Sequence, residues 1–572
     1  MQTGGKKELR ATSPIFDGIQ VENIVEVDDG FVTYNRDGSV SKILKFYGAN
    51  PSATNDAGKE KLFHHIAKIL GHTGPQAFIQ FLEVKNVAEP VVVHESAPGF
   101  VKDRVKKYND LIKNGRIYDR SFFISINISP IYPEVKGFVA SMIYHIKKIT
   151  IGLSQEENQK AFGEKTADID YRLELLHSIE ELFKTALEQM GMIWSPVRSE
   201  EENLNILSKL TRPRRSRYEK LKTRDDGVPL KQHLFSGVRC NDSNGGHVGY
   251  ILDNQLHRSY KLDDIPSLNL RCDSIYNTIL ALPMEYNYQV TFRSLLPEET
   301  KKRLGRARFE LETKRLEGTG DDPTADIEAE HLRGEVYESA SSGYKGVALN
   351  AVLTIRKNTE DLDKELEDQN ISVFQWVRRL DDRLNQTTFS AFGDSKWVPT
   401  EFSHWDYFNY NFIGNHNRFI NDFSTNTLTM DDVPYLLPLF DTKKNNVKHN
   451  GVNHLYTGVS GRDAMPTGML TFDLFDSGLR AYNYLCFGET GDGKSVFVNM
   501  LISQFMYQRY TGGAAPLIRI LDIGGAAGVG SYFKSQEIYG GEYLDFSTAD
   551  KPRIPLFDIV PGASFPTANK LS

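Results

Sequence analysis

Short apolar runs broken by acidic-glycine pairs open the chain. Ile24-Val25-Glu26-Val27, Phe31-Val32-Thr33-Tyr34 and Ser41-Lys42-Ile43-Leu44-Lys45-Phe46-Tyr47 carry β-type residues. Asp28-Asp29-Gly30 and Arg36-Asp37-Gly38 separate them as hairpin turns, which predicts a β-meander. A helix is expected over 59–70 with Gly71 as its cap, then strands over 77–84 and 121–128. Ser154-Gln155-Glu156-Glu157 is a capping-box sequence, and Tyr171, Leu173, Leu175, Leu176, Ile179, Leu182 and Phe183 continue with helical spacing toward Met192.

Further along, strand-like patterns occupy 234–262, 286–295 and 347–355. Pro297-Glu298-Glu299 begins a charged helix toward Leu316, a second helical stretch reaches about Glu338, and 358–380 is helical. Aromatics and asparagines crowd 404–420; buried packing is the simpler reading, and a base-stacking surface is the functional one. Asp432 to Phe440 reads as the passage into a new domain. The expected organisation is a β-rich N-terminal domain over 1–150, a mixed α/β region with long helices over 151–430, and the start of a P-loop ATPase domain over 431–572. In fold class this is an α+β N-terminal region followed by an incomplete α/β, RecA-like core.

Bulk composition narrows the classes. At 572 residues the chain has room for roughly three or four domains. A net charge of −7 argues against a global nucleic-acid binder. Arg212, Arg214, Arg215, Arg217, Lys220, Lys222 and Arg224 are the densest basic stretch. A solvated loop explains it most simply, and contact with an acidic partner, DNA or anionic lipid headgroups is the functional alternative. Cys240, Cys272 and Cys486 form no metal-type pair, which fits a reducing compartment. No run approaches the ~18 apolar residues of a membrane span, so membrane association is expected to be peripheral.

The candidate chemistry lies at 488–495, Gly-Glu-Thr-Gly-Asp-Gly-Lys-Ser, which fits the phosphate-binding P-loop pattern. Gly488, Gly491 and Gly493 allow a tight turn that aims backbone N–H groups inward. Together with Glu489, Thr490, Asp492 and Val496 they would cradle ATP. Lys494 would reach the β- and γ-phosphates, and Ser495 would ligate Mg²⁺. Residues 482–487 read as the strand entering the loop, and 495–510 as the helix leaving it. Leu517 to Gly525 reads as a second strand ending in Asp522, and 542–546 as a third. Asp522 would serve the metal only through water, or would close a turn, because no Glu follows it. About eighty residues follow Lys494, fewer than a complete nucleotide-hydrolysing domain holds. The expectation is that the chain stops inside its catalytic domain, with the Walker-B acid, catalytic Glu and arginine finger beyond residue 572.

The order of short stretches resembles the TraC-like membrane-associated ATPases of type IV secretion and conjugation systems, with the Dot/Icm-type branch the first candidate. The stretches are Pro434-Tyr435-Leu436-Leu437-Pro438, Pro466 to Asp473, Asn483 to Ser495, Arg519 to Gly525, and Gly540 to Phe546 followed by Ile554-Pro555-Leu556-Phe557-Asp558. Pro555-Leu556 stands where the family has Asn-Pro. The resemblance implies a cytoplasmic ATPase, peripheral at the inner membrane and hexameric. Its implied partners are inner-membrane secretion components and other secretion ATPases. Two alternatives stay open: a P-loop DNA translocase, and a nucleotide-binding scaffold without its own hydrolysis.

Overall fold

The computed structural model describes residues 19–48, 56–90, 99–113, 118–129, 155–189, 192–211, 240–263, 279–305, 346–440, 455–457, 469–471 and 485–502, apart from short gaps within several of these blocks, together with residues 95, 234 and 309. Its internal contacts divide the chain into two units. One comprises residues 1–91, 107–448 and 455–473, and the other 92–106, 449–454 and 474–572.

In chain order the first unit begins with strands β1 (Val21–Val27), β2 (Gly30–Asn35) and β3 (Val40–Tyr47), helix α1 (Asp56–His72) and β4 (Ala77–Val87). Helix α2 (Gly99–Lys113), which spans the point where the two units divide, β5 (Tyr118–Ile128) and the long helix α3 (Gln155–Gln189) follow. Next come β6 (Ile193–Pro196), α4 (Glu200–Thr211), β7 (Cys240–Ser243), β8 (Gly249–Leu252), β9 (Gln255–Asp263), β10 (Glu285–Ser294) and β11 (Gly346–Asn358). Helices α5 (Thr359–Gln369) and α6 (Val373–Phe392), β12 (Lys396–Pro399), α7 (His404–Tyr410) and β13 (Asn426–Thr429) complete the series. A 3-10 turn at Val433–Leu436 and the pair β14 (Leu455–Thr457) and β15 (Met469–Thr471) come last.

Thirteen strands form one sheet, ordered β1-β2-β3-β5-β4-β10-β11-β9-β8-β7, with β6 on β3, β12 on β9 and β13 on β11. Every described strand pair is antiparallel. The fold is therefore mixed α+β around a large antiparallel sheet. The parallel α/β core expected after residue 431 has no strand pair among the described residues; the pair found there, β14 with β15, is antiparallel.

The central strands β4, β5, β10 and β11 are buried on both faces, and side chains alternate between two cores. Ile79 and Phe81 of β4, Ile124 and Ile126 of β5, and Tyr288 and Val290 of β10 face the larger core. Helix α1 enters it with Leu62, Phe63, Ile66 and Leu70, α3 with Leu176, Ile179, Phe183 and Leu187, and α6 with Trp376, Val377, Leu380 and Leu384. Leu82 and Val84 of β4 and Phe123 of β5 face the second core, with Leu204, Leu207 and Leu210 of α4, Phe408 of α7, and Phe412 and Ile413 just beyond it. The crowded aromatics of 404–415 are thus packing residues: Trp405 and Phe408 stack at 5.2 Å, and Trp405 meets Tyr250 edge-on at 4.9 Å.

The N-terminal meander agrees with the sequence pattern. Val27 pairs with Gly30, so the first connection is a two-residue hairpin, and Gly30 holds a φ of 127°. Gly71 does not cap α1 but lies within it. The helix ends instead at Thr73, whose N–H and Oγ1 both donate to the Leu70 carbonyl, at 3.1 and 2.7 Å. The helical stretch expected over 358–380 is two helices. Asn370 takes a left-handed φ of 49° and closes α5, and α6 then starts in a new direction. Helix α4 had no counterpart in the apolar pattern. Its start is nonetheless written as Ser199-Glu200-Glu201-Glu202, where the Ser199 hydroxyl accepts from the Glu202 N–H at 3.0 Å and Glu202 Oε2 accepts from the Arg198 N–H at 2.7 Å.

Candidate functional site

In the second unit the P-loop residues Glu489, Gly493, Lys494, Ser495 and Val496 are described; Gly488, Thr490, Gly491 and Asp492 lie outside the described residues, as does Asp522. Gly493 adopts a φ of 83°, a left-handed conformation that costs glycine little, and a Cβ there would meet nothing within 4 Å. Residues 494–496, 498, 499 and 502 are helical, so a helix begins directly after that turn. Its first N–H groups have no intrahelical acceptors, which makes this end an anion-seeking one. The Lys494 ammonium donates to the Glu489 carbonyl at 2.6 Å. The loop therefore brings together a cation, the start of a helix and a left-handed glycine. Ser495 is the first residue past the lysine, where a hydroxyl can meet a metal bound to the phosphates.

The strand expected over 482–487 differs. Leu485, Cys486 and Phe487 are exposed and belong to no described strand. A central strand exists only where neighbours take its N–H and C=O groups, and the expected neighbours at 517–522 and 542–546 lie outside the described residues.

In the first unit, sequence reading passed over a cluster of buried charge at one end of the sheet. Glu83, Lys85 and Arg120 are buried, and Glu83 Oε1 accepts from Arg120 Nε at 2.7 Å and from the Tyr286 hydroxyl at 2.9 Å. Lys85 donates to the Leu282 carbonyl at 2.6 Å and sits 4.4 Å from the Tyr118 ring centroid. Burial, and then the nearby Arg120 guanidinium, pull its pKa down to about 7, against a smaller opposing pull from Glu83. Burial pushes the Tyr118 and Tyr288 hydroxyls well above the usual phenol range. The signal was present: Glu83 and Lys85, two apart, continue the face that Ile79 and Phe81 begin on β4.

A second buried group joins β9 to α6 and α7. Arg258 is paired in forked fashion with Asp381, and the Tyr260 hydroxyl donates to the same carboxylate at 2.6 Å. His404 Nδ1 accepts from the Ser259 N–H at 3.2 Å and lies 2.9 Å from Thr400 Oγ1. Burial, then Arg258, lower its pKa to about 4. His257 is fully buried, stacks on Tyr250 at 4.9 Å, and is likewise held neutral by burial and by Arg356. No group of three or more metal-type side chains occurs among the described residues, and no described helix is long and apolar enough to cross a membrane.

No protein-family model matches this chain, and no curated protein matches it at a significant level.

Proposed function

We propose that the chain binds ATP with Mg²⁺ at residues 488–496 and acts as the energy-coupling ATPase of a type IV secretion or conjugation machine. One observation carries the nucleotide reading: a left-handed Gly493 leads straight into a helix whose first residue, Lys494, donates from its ammonium to the Glu489 carbonyl. Phosphate oxygens would take over the ammonium from the Glu489 carbonyl, with the backbone N–H groups of the loop as further donors. Ser495 would hold Mg²⁺, and Asp522 would bear on it through water. In this reading 482–487, 517–522 and 542–546 assemble a RecA-like α/β layer around the loop.

The machine-level assignment rests on the flanking stretches from Pro434 to Asp558 that resemble the TraC-like ATPases. It carries with it a hexamer at the cytoplasmic face of the inner membrane, docked to membrane components and other secretion ATPases. Its test begins with thermal unfolding in Mg²⁺ and a non-hydrolysable ATP analogue. A ligand at about 100 times its Kd adds roughly 2.7 kcal/mol when it binds only the native state. Stabilisation of the wild type and none of Lys494→Ala supports the site; equal stabilisation of both removes it. Strongly salt-dependent binding of DNA would instead move the assignment to a DNA translocase.

A further inference from the structure

The buried cluster at Glu83, Lys85 and Arg120 touches one segment through backbone atoms. Arg120 Nη2 donates to the Phe440 carbonyl at 3.3 Å, and the Tyr288 hydroxyl donates to the Leu436 carbonyl at 2.6 Å. Between these bonds the chain runs through Leu437 and Leu439, both buried. The Phe63 ring of α1 lies against Tyr435 at 4.8 Å and Phe440 at 5.9 Å. Residues 436–440 are therefore fastened at each end by a side chain of the sheet, and one of the two fasteners is a guanidinium inside a charge cluster.

Lys85 and Arg120 are register partners on β4 and β5, and Tyr286 stands opposite Lys85 on β10. Glu83 lies two residues before Lys85 on the same face, and its Oε2 has no hydrogen-bond partner. Other groups also face Lys85. Tyr118 offers a ring face, and Glu285 accepts from the Val87 N–H at 2.9 Å. Arg356 of β11 donates to the Lys85 carbonyl at 2.8 Å. From α1 the segment receives the apolar Phe63 ring.

We infer that residues 436–440 form a proton-gated clasp, in which charge on Lys85 loosens the hold of Arg120 on the Phe440 carbonyl and loss of that charge tightens it. A charged ammonium gains most by turning toward Glu83, where a carboxylate oxygen is open to it. Doing so, it competes with Arg120 for the carboxylate and repels the guanidinium at cross-strand distance. A neutral amine exerts neither force. The transition falls close to neutrality because burial holds the Lys85 pKa at about 7. This clasp stands on the first unit alone and is independent of the nucleotide reading.

Hydrogen exchange of the Leu436, Leu437, Leu439 and Phe440 amides, corrected for intrinsic rates, tests it at about pH 6 and about pH 8.5. In the full chain protection is expected to rise roughly tenfold at the higher pH, the worth of one hydrogen bond. Lys85→Met should be protected at both pH values, and Lys85→Arg, charged throughout, should be loose at both. Equal wild-type protection at the two pH values overturns the clasp, as does a wild-type pH response kept by either folded variant. If the variants do not fold, the wild-type comparison alone decides.

Discussion

Arg258 and Asp381 join strand β9 to helix α6 by two parallel hydrogen bonds, Nη2 to Oδ2 at 2.9 Å and Nε to Oδ1 at 3.2 Å. Arg258 is almost wholly buried, whereas Asp381 keeps about a quarter of its side chain in solvent. Removing the carboxylate would leave the buried guanidinium with only the half-exposed Glu401, 4.0 Å away, to face its charge. Asp381→Ala is expected to cost about 2–4 kcal/mol, discounted at the low end for the solvent that reaches the pair. Urea unfolding reads the loss, and a change below about 0.5 kcal/mol would show the pair to be dispensable.

The imidazole of His404 completes the edge of β9, taking the Ser259 N–H at a position served by neither β8 nor β12. Accepting at Nδ1 requires a neutral ring. Its folded pKa of about 4 lies below the ordinary 6.5, so between those values the unfolded chain binds the extra proton. Stability is therefore lost as pH falls from about 6.5 toward 4. In His404→Gln this part of the acid loss should shrink, which thermal unfolding across that window measures. His257 acts in the same direction.

Lys85 works at the other end of the scale. Its folded pKa is depressed, so between about 7 and its ordinary 10.5 the unfolded chain holds a proton that the folded chain lacks. Stability rises with pH through that window, and Lys85→Met should flatten the rise. Above about 10 the sign reverses, because Tyr118 and Tyr288 keep in the fold protons that the unfolded chain releases. A denaturation midpoint measured against pH resolves both limbs.

Gly249 holds a φ of 147°, and a Cβ there would lie 2.2 Å from the His257 carbonyl oxygen. That neighbour is backbone of the paired strand and cannot step aside. Gly249→Ala should destabilise by about 2–4 kcal/mol, from overpacking and backbone strain together. Gly71→Ala, where nothing lies within 4 Å, should be neutral or mildly stabilising. Comparing the two by chemical denaturation separates close approach from glycine content.

At the P-loop, Ser495→Ala should retain nucleotide binding without metal but lose the part that Mg²⁺ adds. Titration of an ATP analogue with and without Mg²⁺ checks this. A variant that keeps the full metal effect removes Ser495 as the ligand.

Several elements were legible before any coordinates. Asp-Gly turns fixed the N-terminal meander, and β10 and β11 lie within a few residues of their expected runs, because β-branched and aromatic residues have few alternatives there. Of the glycine-rich stretch 488–495, the left-handed Gly493 and the helical residues after it are described, and these two agree with a glycine turn running into a helix. The sheet order was not legible. Strand β4 hydrogen-bonds to β10, from the far side of the intervening α3 and α4, and nothing in either strand's composition names its neighbour. Nor does the alternation of β4 show which face is solvated, because both faces are covered and every residue from Ala77 to Lys85 is buried. The split at Asn370 escaped notice because a single asparagine in the left-handed region leaves the apolar spacing on either side intact.

The order β5-β4-β10-β11-β9 has a consequence for synthesis. When β4 and β5 have left the ribosome they can pair across the connection that carries α2, but one edge of β4 must wait until residues 285–294 are made. Among the described elements the wait spans two helices and four further strands. Throughout it, Phe78, Ile79, Phe81 and Leu82 border an open row of N–H and C=O groups, the arrangement that invites a foreign strand. Glu83 and Lys85, buried in the finished fold, belong to that same strand, and while its edge stands open water reaches them. During translation they would keep the unfinished sheet soluble, before β10 arrives and turns them into its interior.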